Sequence, residues 1–96
     1  MTIVWRKKAI SELESIFKFI KKSSPQNAHL VFNSIIDLVD SLPNFPYKFA
    51  IEPILNNTNI RFAVLWSYKI VYFVGETEIV ILRVFNTKQK PKKLLK

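Results

Sequence analysis

The sequence predicts a small α+β domain in which two helices cover one face of a mainly antiparallel sheet. Helical periodicity is confined to residues 9–42, and β-prone runs precede and follow it. The chain has 96 residues, of which 49% are apolar and 23% charged, a composition and length typical of a single globular domain of about 100 residues. The expected order is β-α-α-β-β-β-β, with the domain at residues 1–85 and a basic tail at 86–96.

The first half of the chain is predicted to be one strand followed by a helical hairpin. Residues 2–5 are β-prone, and apolar residues then recur at helical intervals of three and four. The stripe of the first helix is Ile10, Leu13, Phe17 and Ile20, and that of the second is Ala28, Phe32, Ile35, Val39 and Leu42. Ser24 is the predicted N-cap of the second helix, and Pro25 is its predicted first residue. Pro43 and Pro46 are expected to end this helix. The short Ser-Ser-Pro junction favours antiparallel helices.

The second half is predicted to form four strands. A weak strand at residues 49–54 is assigned to a sheet edge because it contains Pro53. Strong β-prone runs follow at 60–65, 68–74 and 77–85. Trp66-Ser67 and Gly75-Glu76 are expected to be two-residue hairpin loops.

These two loops fix which residues share a face of the sheet, because opposed residues of an antiparallel pair lie on the same side. The side expected to meet the helices carries Ile60, Phe62, Val64, Val71, Phe73, Val80, Leu82 and Val84. The other side carries Arg61, Arg83, Tyr68 and Tyr72 around Ala63, Ile70, Ile79 and Ile81. The two arginines are therefore expected to share a face without helices.

Composition excludes several kinds of site. There is no cysteine, one glycine and one histidine, His29, so disulfides, zinc thiolate sites, phosphate-binding glycine loops and His-His metal pairs are excluded. No cofactor or metal site is expected. No apolar run approaches the roughly 18 residues of a spanning helix, and the first residues lack the pattern of a secretory signal. A cytoplasmic protein without membrane contact is expected.

The net charge of +8 is concentrated at the C-terminus. Residues 86–96 contain no acid and five lysines, Lys88, Lys90, Lys92, Lys93 and Lys96. Such a segment either contacts an acidic partner or nucleic acid, or is simply a solvated terminus.

Several motifs in one order resemble the RelE/ParE-type toxins of bacterial type II toxin–antitoxin systems. They are Trp5-x-x-x-Ala9, Ser24-Pro25-x-x-Ala28, Arg61 followed by Tyr68-Lys69-Ile70-Val71-Tyr72, and the ending from Ile81 to Pro91. The resemblance covers nearly the whole chain and implies two helices packed on a small antiparallel sheet. The ending resembles the ParE branch, with Asn86 where histidine is usual.

The resemblance implies a toxin that a cognate antitoxin neutralises within a hetero-oligomer. RelE-like members cleave mRNA on the ribosome, whereas characterised ParE-like members block DNA gyrase. Arg61 and Arg83 match arginines of the nucleases and would serve the charge role in cleavage. Asn86 cannot exchange protons, Thr87 follows it and no tyrosine occurs after Tyr72, so a general acid or base is missing from this ending. A gyrase inhibitor without catalytic residues is therefore favoured, with a ribosome-dependent endoribonuclease and a non-toxic basic nucleic-acid-binding domain as alternatives.

Two sets of binding residues follow. Target binding is expected at Arg61, Arg83, Asn86, Lys88, Gln89, Lys90, Lys92 and Lys93, because the ParE-like resemblance extends into the tail. Antitoxin binding is expected at Tyr68, Ile70, Tyr72, Ile79 and Ile81, because the helix-free face would leave apolar side chains uncovered.

Overall fold

The computed structural model describes residues 1–88 and confirms the predicted order of elements. The elements are β1 (Thr2–Trp5), α1 (Lys7–Lys21), α2 (Pro25–Ser41), a short 3-10 turn (Leu42–Asn44), β2 (Ala50–Ile51), β3 (Ile60–Leu65), β4 (Tyr68–Val74) and β5 (Glu78–Asn86). They form one sheet in the order β1-β5-β4-β3-β2, in which β1 runs parallel to β5 and the other neighbours are antiparallel. Within residues 1–88, no helix is long and apolar enough to span a bilayer.

The junction between the helices follows the expected capping chemistry. The Ser24 side chain accepts a hydrogen bond from the Asn27 backbone N–H at 3.2 Å, and Pro25 occupies the first turn of α2. The hydroxyl thus satisfies one of the N–H groups that lack an intrahelical partner. The rings of Phe17 and Phe32 meet edge to face, with centroids 5.8 Å apart, and join the two helices.

The main core lies between the helices and the face of the sheet that was expected to be uncovered. Its fully buried strand residues are Ile70, Tyr72, Ile79, Ile81 and Val84. A smaller cluster on the opposite face joins Val71, Phe85, Leu55, Ile60, Phe62 and Leu82. The predicted assignment of the faces is therefore wrong: the helices cover the Ile70 side, and the segment after β2, through Leu55, partly covers the other.

The pairing of β3 with β4 is the predicted one, with Leu65 opposite Tyr68 and Arg61 opposite Tyr72. The loop between β4 and β5 is longer than predicted, because Val74 is opposite Ile79 and the Gly75 N–H donates to the Glu78 carbonyl at 2.8 Å. This two-residue shift leaves each side chain on its expected side, since the period of a strand is two.

A bulge in β5 changes the face of the residues that follow it. Tyr72 is opposite Ile81, but Val71 is opposite Arg83, so Leu82 is the additional residue on β5. Val84 consequently reaches the helix side, where it joins the core. Arg83 moves to the opposite side, with Val71. The prediction that Arg61 and Arg83 share a face is wrong for this reason.

Candidate partner-binding surfaces

Arg61 holds the chain that leads from α2 to β3. Its Nε donates to the Thr58 carbonyl at 2.9 Å, and its Nη1 donates to the Phe49 carbonyl at 3.1 Å and the Tyr47 carbonyl at 3.5 Å. The guanidinium also lies 4.9 Å from the centroid of the Tyr47 ring. Arg61 thus joins backbone carbonyls from three points of an irregular segment.

Tyr72 anchors the same segment from inside the core. Its side chain is fully buried, and its hydroxyl donates to the Pro46 carbonyl at 2.9 Å. Burial raises the pKa of the Tyr72 hydroxyl above its ordinary value, although the charge of Arg61 and the backbone of Phe49 partly oppose the shift. Tyr72 is therefore a neutral donor that fixes the position of Pro46.

Arg83 lies on the side of β5 away from the helices, and at the open edge of the sheet it pairs with Glu12 of α1. The Arg83 Nε lies 2.9 and 3.1 Å from the two carboxylate oxygens, and Nη2 lies 2.8 Å from Oε2. Glu12 Oε1 also accepts the Val84 backbone N–H at 3.0 Å. The pair lies on β5 beyond the end of β1, whose last paired residue, Trp5, is opposite Ile81. Glu12 thus replaces a strand partner at this edge.

A second ion pair is buried beneath the segment that follows β2. Glu52 is completely buried, and its Oε2 lies 2.6 Å from the Lys69 Nζ, without the alignment of a regular hydrogen bond. Its other oxygen accepts the Ile54 backbone N–H at 3.2 Å. The pair ties this segment to β4 on the side away from the helices.

The structure does not assemble the predicted antitoxin-binding set on an accessible surface. Ile70, Tyr72, Ile79 and Ile81 are buried beneath the helices, and Tyr68 is only half-buried beside the same core. Four of the five residues are therefore not exposed as expected, and antitoxin binding by this set stays a prediction.

The face away from the helices instead contains a cleft of about 520 Å³. Its floor is apolar and consists of Leu55, Ile60, Val71, Phe73 and Leu82. Three cationic side chains, Arg6, Lys8 and Arg83, also line it, and the sequence prediction included only the last of them. The sequence feature that could have identified Arg6 and Lys8 is the run Arg6-Lys7-Lys8. Positive charges at a helix N-terminus interact unfavourably with the helix dipole and bring no local structural benefit.

The start of the predicted tail is partly held by one backbone and one side-chain hydrogen bond. Thr87 N–H donates to the Ser67 carbonyl at 2.7 Å, and Asn86 Oδ1 accepts the Lys88 N–H at 2.9 Å. Four predicted target-binding residues, Gln89, Lys90, Lys92 and Lys93, lie outside the described residues. Target binding by the tail stays a prediction.

Residues 1–88 contain no cluster of three or more histidine, cysteine or acidic side chains that could hold a metal ion. The cationic groups are instead arranged around apolar surface, as in the cleft. The fold and these surfaces define a small α+β protein whose described surface carries cationic side chains beside apolar ones.

The comparisons place the chain in a family. The family model described as ParE toxin of type II toxin-antitoxin system, parDE, matches residues 3–91, and the chain belongs to this family. Ten chains among solved structures match, and a comparison with curated proteins finds no match. One structure, titled "Chromosomal ParDE TA system from P. aeruginosa", is 25% identical, with a TM-score of 0.73 over 90% of this chain and 95% of that chain.

Proposed function

We propose that this ParE-family toxin arrests growth by binding DNA gyrase in the cytoplasm, without cleaving nucleic acid, and that a cognate antitoxin neutralises it. The family and the ParDE title of the similar structure support a toxin with an antitoxin partner. The choice of gyrase rests on the resemblance of the last strand and the residues after it to the ParE branch.

The proposal that the toxin does not cleave nucleic acid rests on the separation of Arg61 and Arg83 in the structure. Cleavage of RNA at a 2′-hydroxyl requires cations that converge on one phosphorus and a group that exchanges a proton. Arg61 lies on the helix side, where it donates to backbone carbonyls, whereas Arg83 lies on the opposite side, paired with Glu12. One scissile phosphate cannot contact both in this arrangement, which favours binding over cleavage.

The cleft away from the helices is the surface that best suits the antitoxin. An amphipathic acidic segment would place apolar side chains on the floor and carboxylates beside Arg6, Lys8 and Arg83. In residues 1–88, Arg6 and Lys8 are exposed and form no ion pair. The cations would therefore favour an acidic segment over a basic or neutral one, and they would accelerate its association.

A supercoiling assay with purified protein tests the target. We expect inhibition of gyrase that depends on toxin concentration, and no cleavage of mRNA in a translating extract under the same conditions. Unchanged supercoiling together with cleavage of translated mRNA would instead establish the endoribonuclease alternative. Steeply salt-dependent DNA binding with neither effect would establish a non-toxic nucleic-acid-binding domain.

Charge reversal tests the antitoxin surface. The double variant Arg6→Glu/Lys8→Glu should lose neutralisation by the protein encoded beside the toxin gene, while growth arrest persists. Acidic residues at the start of α1 are favourable for the helix, so folding should not be impaired. The matched control is Lys21→Glu/Lys22→Glu, at the exposed other end of α1. Equal neutralisation of both variants would exclude the cleft as the antitoxin site.

A further inference from the structure

The segment between α2 and β2 displays two large aromatic side chains to solvent. Phe45 is 69% exposed and Tyr47 52% exposed, with Pro46 between them and Lys48 after them. We call residues 45–48 the aromatic loop. Grouped exposed apolar side chains usually mark an interaction surface. Neither the antitoxin cleft nor the tail accounts for this loop.

The loop is held in place from below. The buried Tyr72 hydroxyl donates to the Pro46 carbonyl, and Arg61 donates to the Tyr47 carbonyl. The Arg61 guanidinium also stacks against the Tyr47 ring. A loop fixed in this way loses little conformational freedom when it binds, which favours affinity. A buried donor, Tyr72, and a partly buried one, Arg61, therefore support an exposed aromatic pair, and this arrangement favours a binding role.

The charge around the loop indicates the kind of partner. Within residues 1–88, neither Arg61 nor Lys48 forms an ion pair with a carboxylate. Ile51, which is opposite Arg61 on β2, adds a third exposed apolar side chain on the same side of the sheet. The complementary surface is an apolar depression with acidic residues at its rim.

A protein fits these features better than a single-stranded nucleic acid. Arg61 covers one face of the Tyr47 ring, so little ring surface remains for base stacking. Its hydrogen bonds go to backbone carbonyls, so few guanidinium donors remain for a phosphate. Tyrosine and arginine at the centre of a patch are typical of the residues that dominate protein interfaces.

We propose that the aromatic loop is the element through which this toxin contacts its protein target, with Phe45 and Tyr47 inserted into an apolar depression that has an acidic rim. This inference rests on the proposed function and deepens it, because it names the surface that engages the target.

Three variants in the loop and one control on α1, all in the full chain, test the inference. Phe45→Ala and Tyr47→Ala should each weaken inhibition of gyrase supercoiling about 30-fold, the effect of losing a dominant interface residue. Tyr47→Phe keeps the ring and should stay within about threefold of the parent protein. Phe19→Ala removes an equally exposed phenylalanine, 72% exposed on α1, and should leave inhibition unchanged. Thermal unfolding should confirm that all four variants fold.

Growth arrest at matched protein levels is measured in parallel, because it reports target binding whichever protein is the target. Loss of arrest in the two alanine variants, with arrest retained in Phe19→Ala, supports the inference even if gyrase is not inhibited, in which case only the proposed target is wrong. Full arrest and full inhibition by the alanine variants would overturn the inference. The inference would also be overturned if the alanine variants lost binding to a labelled single-stranded oligonucleotide, or lost self-association in sedimentation, and if that loss accounted for the lost arrest. The loop would then contact nucleic acid or a second copy of the chain.

Discussion

Glu12 and Arg83 are 71 positions apart in sequence, and their side chains form a two-pronged ion pair that joins α1 to the open edge of β5. The same carboxylate accepts the Val84 backbone N–H. The Glu12 carboxylate thus neutralises the charge of Arg83 and accepts a hydrogen bond from the Val84 N–H at the sheet edge, next to the bulge in β5. This pair links the helical layer to the strand that leads into the basic tail.

Removal of the Glu12 carboxylate should be strongly destabilising. Both side chains are largely buried, so Glu12→Ala leaves Arg83 without its carboxylate and Val84 N–H without its acceptor. We expect the free energy of unfolding to fall by about 3 kcal/mol. Glu12→Gln should cost less, because the amide oxygen still accepts from Val84. Glu14→Ala, at an exposed position two residues along α1, should stay within about 0.5 kcal/mol. Urea unfolding followed by circular dichroism measures all three, and equal effects of Glu12→Ala and Glu14→Ala would contradict the assigned role.

The Glu52–Lys69 pair makes a different prediction. Lys69→Met should lower the free energy of unfolding by about 3 kcal/mol, because it leaves a fully buried carboxylate without its cation. The double variant Lys69→Met/Glu52→Gln should recover part of this loss, since no charge is then buried. Lys48→Met, at an exposed lysine, is the control. A double variant that is less stable than Lys69→Met would show that the ion pair is not what the single variant disrupts.

The raised pKa of Tyr72 predicts how stability depends on alkaline pH. The unfolded chain loses the Tyr72 proton near the ordinary pKa of about 10, whereas the folded protein retains it to higher pH. The contribution of Tyr72 is therefore fully present below pH 10 and is lost as pH rises through the folded-state pKa.

Tyr72→Phe is the variant that tests this. It should cost about 1 kcal/mol at pH 7, because the hydrogen bond to Pro46 is lost. Above pH 9.5 its free energy of unfolding should decline less steeply than that of the parent protein, so the two curves should approach one another. Urea unfolding at intervals from pH 7 to pH 10.5 measures the difference, and parallel curves would exclude Tyr72 as the titrating group.

The helical hairpin could be predicted from sequence because its signals are local. Ser24, Pro25 and the three-and-four spacing of apolar residues act within one or two turns. The covered face of the sheet could not be chosen in the same way, because both faces are apolar. Lys69 is the only charged residue of β4, and it lies on the side away from the helices. It was therefore the one residue of this strand that distinguished the two faces of the sheet.

The placement of the arginines depended on a feature that sequence does not reveal. The bulge at Leu82 reverses the sides of Arg83 and Val84, and nothing in the run from Glu78 to Asn86 marks where the additional residue falls. The prediction treated Arg61 and Arg83 as one site, whereas each has its own partners. The cleft and the aromatic loop could not be predicted from sequence, because tertiary packing determines which side chains remain exposed.

The basic tail provides the final prediction, in which target binding and antitoxin binding separate. Lys90→Gln, Lys92→Gln and Lys93→Gln, combined in one chain, remove three positive charges without shortening it. If the tail approaches an acidic region of the target, its lysines accelerate association, and we expect inhibition of supercoiling to weaken about tenfold at low salt and less at high salt. Antitoxin affinity should change less than about twofold, because the proposed cleft lies on the sheet.

The matched control removes the same charge from the exposed face of α1, through Lys18→Gln, Lys21→Gln and Lys22→Gln. If net charge alone attracts the target, both triple variants weaken inhibition equally, and a specific role for the tail is excluded. If the tail acts locally, only its own variant loses inhibition, and the loss diminishes as added salt screens the charges over about 10 Å. Supercoiling titrations at two salt concentrations, with antitoxin affinity measured by calorimetry on the same preparations, distinguish the two because only the local mechanism makes the position of the lysines matter.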